Sequence, residues 1–245
     1  MADTTRYLGL LVPSADPVVE QDFRTYLPDG VRTYVARMSQ GKDPKCSIEG
    51  IQRIRDAAGQ AAESLAEVRP ELIVFCGTSA SFMHRVGTDH ELSTNISAAA
   101  GGIPAINTTE AVVEGLKAFG ANRIFMLTPY PEDYNLRGVR FFTDSGFEMA
   151  GYTTFNCQKS MDIPAVRPEQ IVEKMREYGD IARTCDAVFM SCTALRALPI
   201  IEPLEEELGV PIVFANQAMI WASLRHLGVD TSAVHHAGQL FQTSA

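Results

Sequence analysis

The feature that most constrains this chain is that its sequence is written twice. Leu11-Val12-Pro13-Ser14, with Gly30-Val31 further on, is echoed by Leu127-Thr128-Pro129-Tyr130 with Gly146-Phe147. The apolar run Leu72-Ile73-Val74-Phe75 leads into Cys76-Gly77-Thr78. Its echo, Ala187-Val188-Phe189-Met190-Ser191, leads into Cys192-Thr193. Gly102-Ile103-Pro104-Ala105-Ile106-Asn107 returns as Gly209-Val210-Pro211-Ile212-Val213-Phe214-Ala215-Asn216. Echoes that keep their order argue for two similar units, and polar residues ending equivalent strands then face one another across a cleft.

Within each copy, short β-rich runs alternate with longer helical patterns, the signature of parallel strands joined by crossover helices. The pattern predicts strands near Tyr7–Val12, Val31–Met38, Leu72–Phe75, Ala105–Asn107, Arg123–Leu127, Glu148–Phe155, Ala187–Met190 and Ile212–Phe214. Helices are predicted over Ile48–Val68, Leu92–Ala100, Thr109–Ala118, Asp133–Ser145, Pro168–Tyr178, Pro199–Leu208 and Gln217–His226. The expected fold is therefore α/β: two pseudosymmetric, Rossmann-like parallel-sheet units with the active site in the cleft between them. The first unit takes residues 1–108 and is completed by 217–245; the second takes 109–216. Glu202 and Glu205-Glu206-Glu207 read as a solvated helix face.

Composition narrows the function classes. The net charge is −9 with no evident basic stripe, which argues against nucleic-acid binding. The five cysteines, Cys46, Cys76, Cys157, Cys185 and Cys192, are odd in number and lack metal-site spacing, so free thiols in a reducing cytoplasm are the simplest account. No run approaches about 18 consecutive apolar residues, and the first dozen positions lack a secretory pattern, so no membrane association is expected. His84, His90, His226, His235 and His236 form no metal pattern, and neither a H-E-x-x-H run nor a G-x-S-x-G turn occurs. No metal or cofactor is expected.

The residues able to do chemistry gather at strand ends, where open parallel sheets bind their ligands. Cys192 ends an apolar strand; a helix starting there would direct its amides and dipole at the thiol. In the internal alignment Thr193 falls opposite Thr78, so Gly77 faces Cys192 and Cys76 faces Ser191. Side chains alternate along a strand, so this offset of one residue aims Cys76 away from the place where Cys192 points. The chain reads as a two-thiol cleft with one thiol missing. Gly77-Thr78-Ser79-Ala80-Ser81 is small and polar enough to bring amides and hydroxyls close to an anion. Tyr130, with Tyr134 as a rival, offers a phenolic donor. Ser14 joins them at the end of the first strand, and Asp16 is either a helix cap or a polar group of the site.

In order along the chain, Val12-Pro13-Ser14, Gly77-Thr78-Ser79-Ala80-Ser81-Phe82, Thr128-Pro129-Tyr130, Ser191-Cys192-Thr193, Leu208-Gly209-Val210-Pro211 and Asn216-Gln217-Ala218 with Trp221 resemble the aspartate/glutamate racemase superfamily. The resemblance is to the branch holding arylmalonate decarboxylase, maleate cis-trans isomerase and the ectoine-utilisation racemase-like proteins. It implies a cofactor-free active site between two pseudosymmetric units. It also implies that racemases and isomerases carry a cysteine on each wall, whereas the decarboxylase keeps the second and has glycine at the first. Gly77 and Cys192 match the decarboxylase arrangement. Two positions depart from the pattern: Asp16 stands where the isomerases have asparagine, and Thr193 where the decarboxylase has glycine.

Racemisation needs an acid and a base on opposite faces of a carbon, whereas decarboxylation of a malonate needs one acid after carbon dioxide has left. The expectation is a decarboxylase of a substituted malonate. Cys192, a neutral thiol near its ordinary pKa of about 8.5, protonates an enediolate held by Thr78, Ser79, Tyr130 and the Thr193 amide. The alternatives are maleate-type isomerisation or amino-acid-type racemisation with Cys76 as a displaced partner, and a two-lobed module that binds a small carboxylate without turnover. In each case the partner is a small mono- or dicarboxylate; homo-oligomerisation stays open.

Overall fold

The structure is a computed structural model that describes residues 5–42, 44–83 and 86–243. In chain order the first half runs β1 (Arg6–Pro13), α1 (Val19–Tyr26), β2 (Val31–Met38), α2 (Ile48–Ala66), β3 (Leu72–Phe75), α3 (Thr78–Phe82), α4 (Thr88–Ala99), β4 (Ala105–Asn107) and α5 (Thr108–Ala118). The second runs β5 (Arg123–Thr128), α6 (Glu132–Asp144), β6 (Glu148–Thr154), α7 (Pro168–Glu177), α8 (Gly179–Ala182), β7 (Ala187–Met190), α9 (Ile201–Leu208), β8 (Ile212–Phe214) and α10 (Ala215–His226). Two four-stranded sheets result, ordered β2-β1-β3-β4 and β6-β5-β7-β8, and every pairing is parallel. The second order is the first with four added to each number, so the repeat in the sequence is a repeat of topology.

The central strands explain why. Leu72-Ile73-Val74-Phe75 and Ala187-Val188-Phe189-Met190 are buried at every position, as strands covered on both faces must be. Helices α1, α3 and the short α8 are the elements that the apolar periodicity does not announce. A segment of four to eight residues gives too few turns for a 3.6-residue period to stand out. The predicted solvated face of α9 is corrected at one position: Glu205 is buried, accepting hydrogen bonds from the Ile212 and Gln239 amides at 2.8 Å each. Those two amides otherwise lack acceptors, which is reason enough to draw a carboxyl inward.

Three features hold the units together around the cleft. Phe82, at the end of α3, inserts among Tyr130, Phe141 and Phe142, with ring centroids 6.2–6.5 Å apart, the separation of edge and tilted aromatic packing. The ring packs closely on α6: a Cβ on Gly138 would lie 3.4 Å from it. The loop before α2 is stitched to the loop after β6 by Cys46 N–H to Gln158 O and Ser160 N–H to Pro44 O, both 3.1 Å. Finally α10, buried from Ala215 to Leu224, packs against α1 and β3 on one side and α5 and β8 on the other. It is buried all round, and its polar residues Asn216 and Gln217 make hydrogen bonds inside. No helix among the described residues is long and apolar enough to cross a membrane.

Candidate active site

The strand ends that the repeat aligns are equivalent in detail. Cys76 N–H donates to Leu11 O at 2.9 Å, and Ser191 N–H donates to Leu127 O at 2.8 Å. Each amide extends a ladder, Leu11 with Phe75 in one sheet and Leu127 with Met190 in the other. The following residues, Gly77 and Cys192, are therefore the matched pair. Cys76 is fully buried, contacts Val74 O at 3.5 Å and takes no part in lining the cleft, so its thiol is no counterpart to Cys192. Gly77 and Cys192 both line it.

No helix begins at Cys192. Cys192 has φ +101° and opens an irregular turn that reaches a 3-10 segment only at Leu198. A left-handed conformation at a non-glycine residue costs on the order of 1–3 kcal/mol and persists only where the surroundings enforce it. Here they do: Asn216, at the start of α10, donates from Nδ2 to Thr193 O at 2.9 Å and to Asp22 Oδ2 of α1 at 2.7 Å. One buried amide thus fastens the Cys192 turn to the other unit. On the opposite wall hydroxyls do the work. Gly77 N–H donates to Thr108 Oγ1 at 3.0 Å, and Ser81 Oγ lies 2.5 Å from Thr109 Oγ1.

Between the walls lies a narrow cleft with about 60 Å³ of enclosed space, open to solvent at its mouth. Asp16, Gln40, Cys46, Gly77, Thr78 and Ser79 line it from the first unit, and Tyr130, Tyr134, Ser160, Cys192 and Thr193 from the second. Ile51, Ile54, Ala80 and Ile163 supply an apolar part. Among the described residues, seven buried side-chain polar atoms have no hydrogen-bond partner. Four of these, Asp16 Oδ2, Gln40 Oε1, Thr78 Oγ1 and Tyr134 OH, belong to residues lining this cleft. Buried polar groups are ordinarily paired, so this concentration marks a place for a polar ligand.

Burial governs the charges. It pushes the Cys192 thiol up to about 12; the Tyr130 hydroxyl and the Ala194 amide oppose that rise, and Asp16 and Cys46 add to it. The thiol is thus held neutral far above the ordinary value expected from sequence. Burial also raises Tyr130 well above its usual range, reinforced by Cys192; its hydroxyl stands among Cys192, Ser191 and Thr78, 3.4 Å from Ser191 Oγ. Asp22 is pushed up to about 7 by burial, against the pull of Asn216.

Eight of the residues singled out by sequence meet in the cleft: Cys192, Gly77, Thr78, Ser79, Tyr130, Tyr134, Thr193 and Asp16. Ser14 does not. It is exposed, and its hydroxyl accepts the Gln40 N–H at 3.2 Å, which steadies the loop carrying Gln40. Sequence reasoning missed Gln40, Lys45, Cys46 and Ser160, so the cleft holds a second thiol after all, from a loop with no internal echo. Burial raises that thiol to about 11. Among the described residues no group of three or more His, Cys, Asp or Glu converges as metal ligands would; His84 lies outside the described residues.

The profile of a family described as arylmalonate decarboxylase matches residues 8–241. A maleate isomerase from Nocardia farcinica is 25% identical over 244 residues, covering 97% of this chain and 96% of that protein. An arylmalonate decarboxylase from Bordetella bronchiseptica is 25% identical over 241 residues, covering 98% of each. Among solved structures, a cysteine-to-serine variant of the Nocardia farcinica maleate cis-trans isomerase with a covalently bound succinylcysteine intermediate superposes with TM-score 0.91 at 24% identity, covering 98% and 100% of the two chains. A liganded arylmalonate decarboxylase variant, with one glycine changed to cysteine and one cysteine to serine, gives TM-score 0.89 at 24% identity over 98% and 100%.

Proposed function

We propose that this chain, which belongs to the arylmalonate decarboxylase family, decarboxylates a substituted malonate with chemistry carried by its own side chains. The observation that supports this reading is the matched pair at the strand ends: Gly77 on one wall and Cys192 on the other, with Cys76 turned into the core.

The substrate's retained carboxylate lies among Thr78, Ser79, Tyr130 and the Thr193 amide, and the other carboxylate points toward Ile51, Ile54 and Ile163. Apolar surroundings penalise a charge that has no partner. The bond to that carboxylate breaks, its electron pair moves into the retained carboxylate to make an enediolate, and carbon dioxide leaves. Donors aimed at the growing charge lower the barrier, and each one lost costs about 10²–10³ in rate. Cys192 then gives its S–H proton to the α-carbon from one face, and solvent restores the thiol. A thiol held up at about 12 suits this role, since it is protonated when the enediolate forms.

Replacing Cys192 with Ala removes carbon dioxide release from a panel of aryl- and alkylmalonates while thermal melting stays cooperative; undiminished release ends the proposal. The second reading, isomerisation of a maleate-type substrate, is favoured by equal identity to an isomerase and a decarboxylase and by Cys46 as a second thiol in the cleft. Conversion of maleate to fumarate in deuterated buffer, lost in Cys46→Ser, would establish that reading instead.

A further inference from the structure

Among the described residues, Asp16 is the one acidic side chain lining the cleft, and half of it is already committed. Its Oδ1 accepts the Val18 and Val19 amides at 2.8 and 3.1 Å, capping α1. Its Oδ2 has no hydrogen-bond partner among the described residues, although the side chain is 97% buried and lines the cleft. Thr193, one of the groups assigned to the retained carboxylate, stands beside it.

The charges around Asp16 do not neutralise it. Arg37 of β2 spends its guanidinium on the Pro13 and Asp16 carbonyl oxygens, at 3.3 and 2.7 Å, and on Glu20 of α1 at 2.8 Å. Asp22 of α1 also acts on the local field, as do Cys76 beyond β3 and Cys192 across the cleft; none of these is a cation. Lys45 lines the outer cleft from the loop before α2. An ionised Oδ2 would therefore be a desolvated anion facing an anionic substrate, the arrangement that drives one of two carboxyls to hold a proton. Burial does push the Asp16 carboxyl above its usual range, against the Thr193 side chain, the two amides and Arg37.

We propose that Asp16 works as a neutral carboxylic acid whose Oδ2–H is donated in a hydrogen bond to the retained carboxylate of the substrate. This rests on the reading of the cleft as a carboxylate site. A group that would repel the substrate as an anion thereby selects for it as an acid. Because the enediolate is more basic than the carboxylate it comes from, the same hydrogen bond tightens as the reaction proceeds. The sign of the pH dependence follows: the binding-competent form is protonated, so affinity declines about tenfold per pH unit above the Asp16 midpoint.

The test is a titration of malonate and of maleate into the full chain carrying Cys192→Ser, which prevents turnover, between about pH 7 and 9, where both carboxyls of each ligand are largely ionised. Asp16→Asn keeps the cap and a fixed N–H donor. It binds within about threefold of the best value for the parent and shows no slope; Asp16→Ala binds at least about tenfold more weakly at low pH. Melting curves in the same buffers establish that each variant is folded. A flat profile for the parent, a slope that survives in Asp16→Asn, or an Asp16→Asn variant that binds tenfold more tightly throughout overturns the proposal. If no malonate ever releases carbon dioxide but the slope is present, decarboxylation fails and Asp16 stands.

Discussion

The two walls of the cleft share a backbone and differ in what leaves it. After β3 the chain passes through Gly77 at φ −154° into the helix α3; after β7 it passes through Cys192 at φ +101° into an irregular turn. Each exit is latched by the first turn of the helix that follows the fourth strand of its sheet. The repeat aligns Thr109 of α5 with Asn216 of α10. Thr109 meets Ser81 beside its own sheet, while Asn216 reaches both the Thr193 carbonyl beside its own sheet and Asp22 of α1 beside the other. The lesson is that a duplicated scaffold supplies two equal strand ends, and chemistry resides where the copies stopped matching.

The strongest way to break the comparison is to make the walls alike. Cys192→Gly should abolish turnover and yet stabilise the fold by on the order of 1 kcal/mol, since glycine accepts φ +101° without strain. Activity assays and denaturant unfolding on one preparation check both halves, and a destabilised variant would show that the turn carries no strain.

Removing the latch comes next. Asn216→Ala leaves Thr193 O and Asp22 without a shared donor, with an expected loss of about 1–3 kcal/mol of stability. A fall in kcat of about 10² is expected with KM within a few-fold, because a misplaced proton donor harms reaction more than binding. A change confined to KM would place Asn216 in substrate binding instead. Asp22 gives the same contact a pH signature. Its carboxyl is raised from 3.8 to about 7, so the stability it contributes is full below the unfolded value and lost as pH rises through about 7. Asp22→Asn should flatten that decline, which is on the order of 2–4 kcal/mol before coupling to Asp16 is considered. Urea midpoints across the range would reveal it.

Restoring the missing thiol sharpens the comparison from the other side. A Cβ on Gly77 would lie 2.8 Å from the Phe75 ring, so Gly77→Cys should be paired with Phe75→Leu to make room. The folded double variant should exchange the α-proton of the product in deuterated buffer, which the parent does not. Absence of exchange would mean that the two positions do not face the same carbon. The smallest effect belongs to Ser14→Ala, which loses one hydrogen bond to the Gln40 amide and should change kcat/KM by less than about threefold.

Much of this was legible before folding. Strands such as Val31–Met38, Leu72–Phe75 and Ala187–Met190 fall where the apolar runs predicted them. The offset that buries Cys76 and exposes Cys192 to the cleft needs only the two-residue alternation of a strand. Local rules failed where the answer depended on distant chain. Glu205 was misread because the amides it satisfies, Ile212 and Gln239, lie beyond its own helix. Cys46 gave no signal because its loop is positioned by a bond to Gln158, more than a hundred residues away.

The sequence by itself determined the duplication, the parallel strands and the inequality of Gly77 and Cys192, since these follow from short-range periodicity and from comparing one half with the other. Only the tertiary structure decided how far burial moves the charges and what completes the wall of the cleft: a thiol raised far above its ordinary range, a buried acid that lines the cleft, and a second cysteine at the edge. Burial and the docking of one unit on the other set those properties, and neither is encoded within the reach of a single helix or strand.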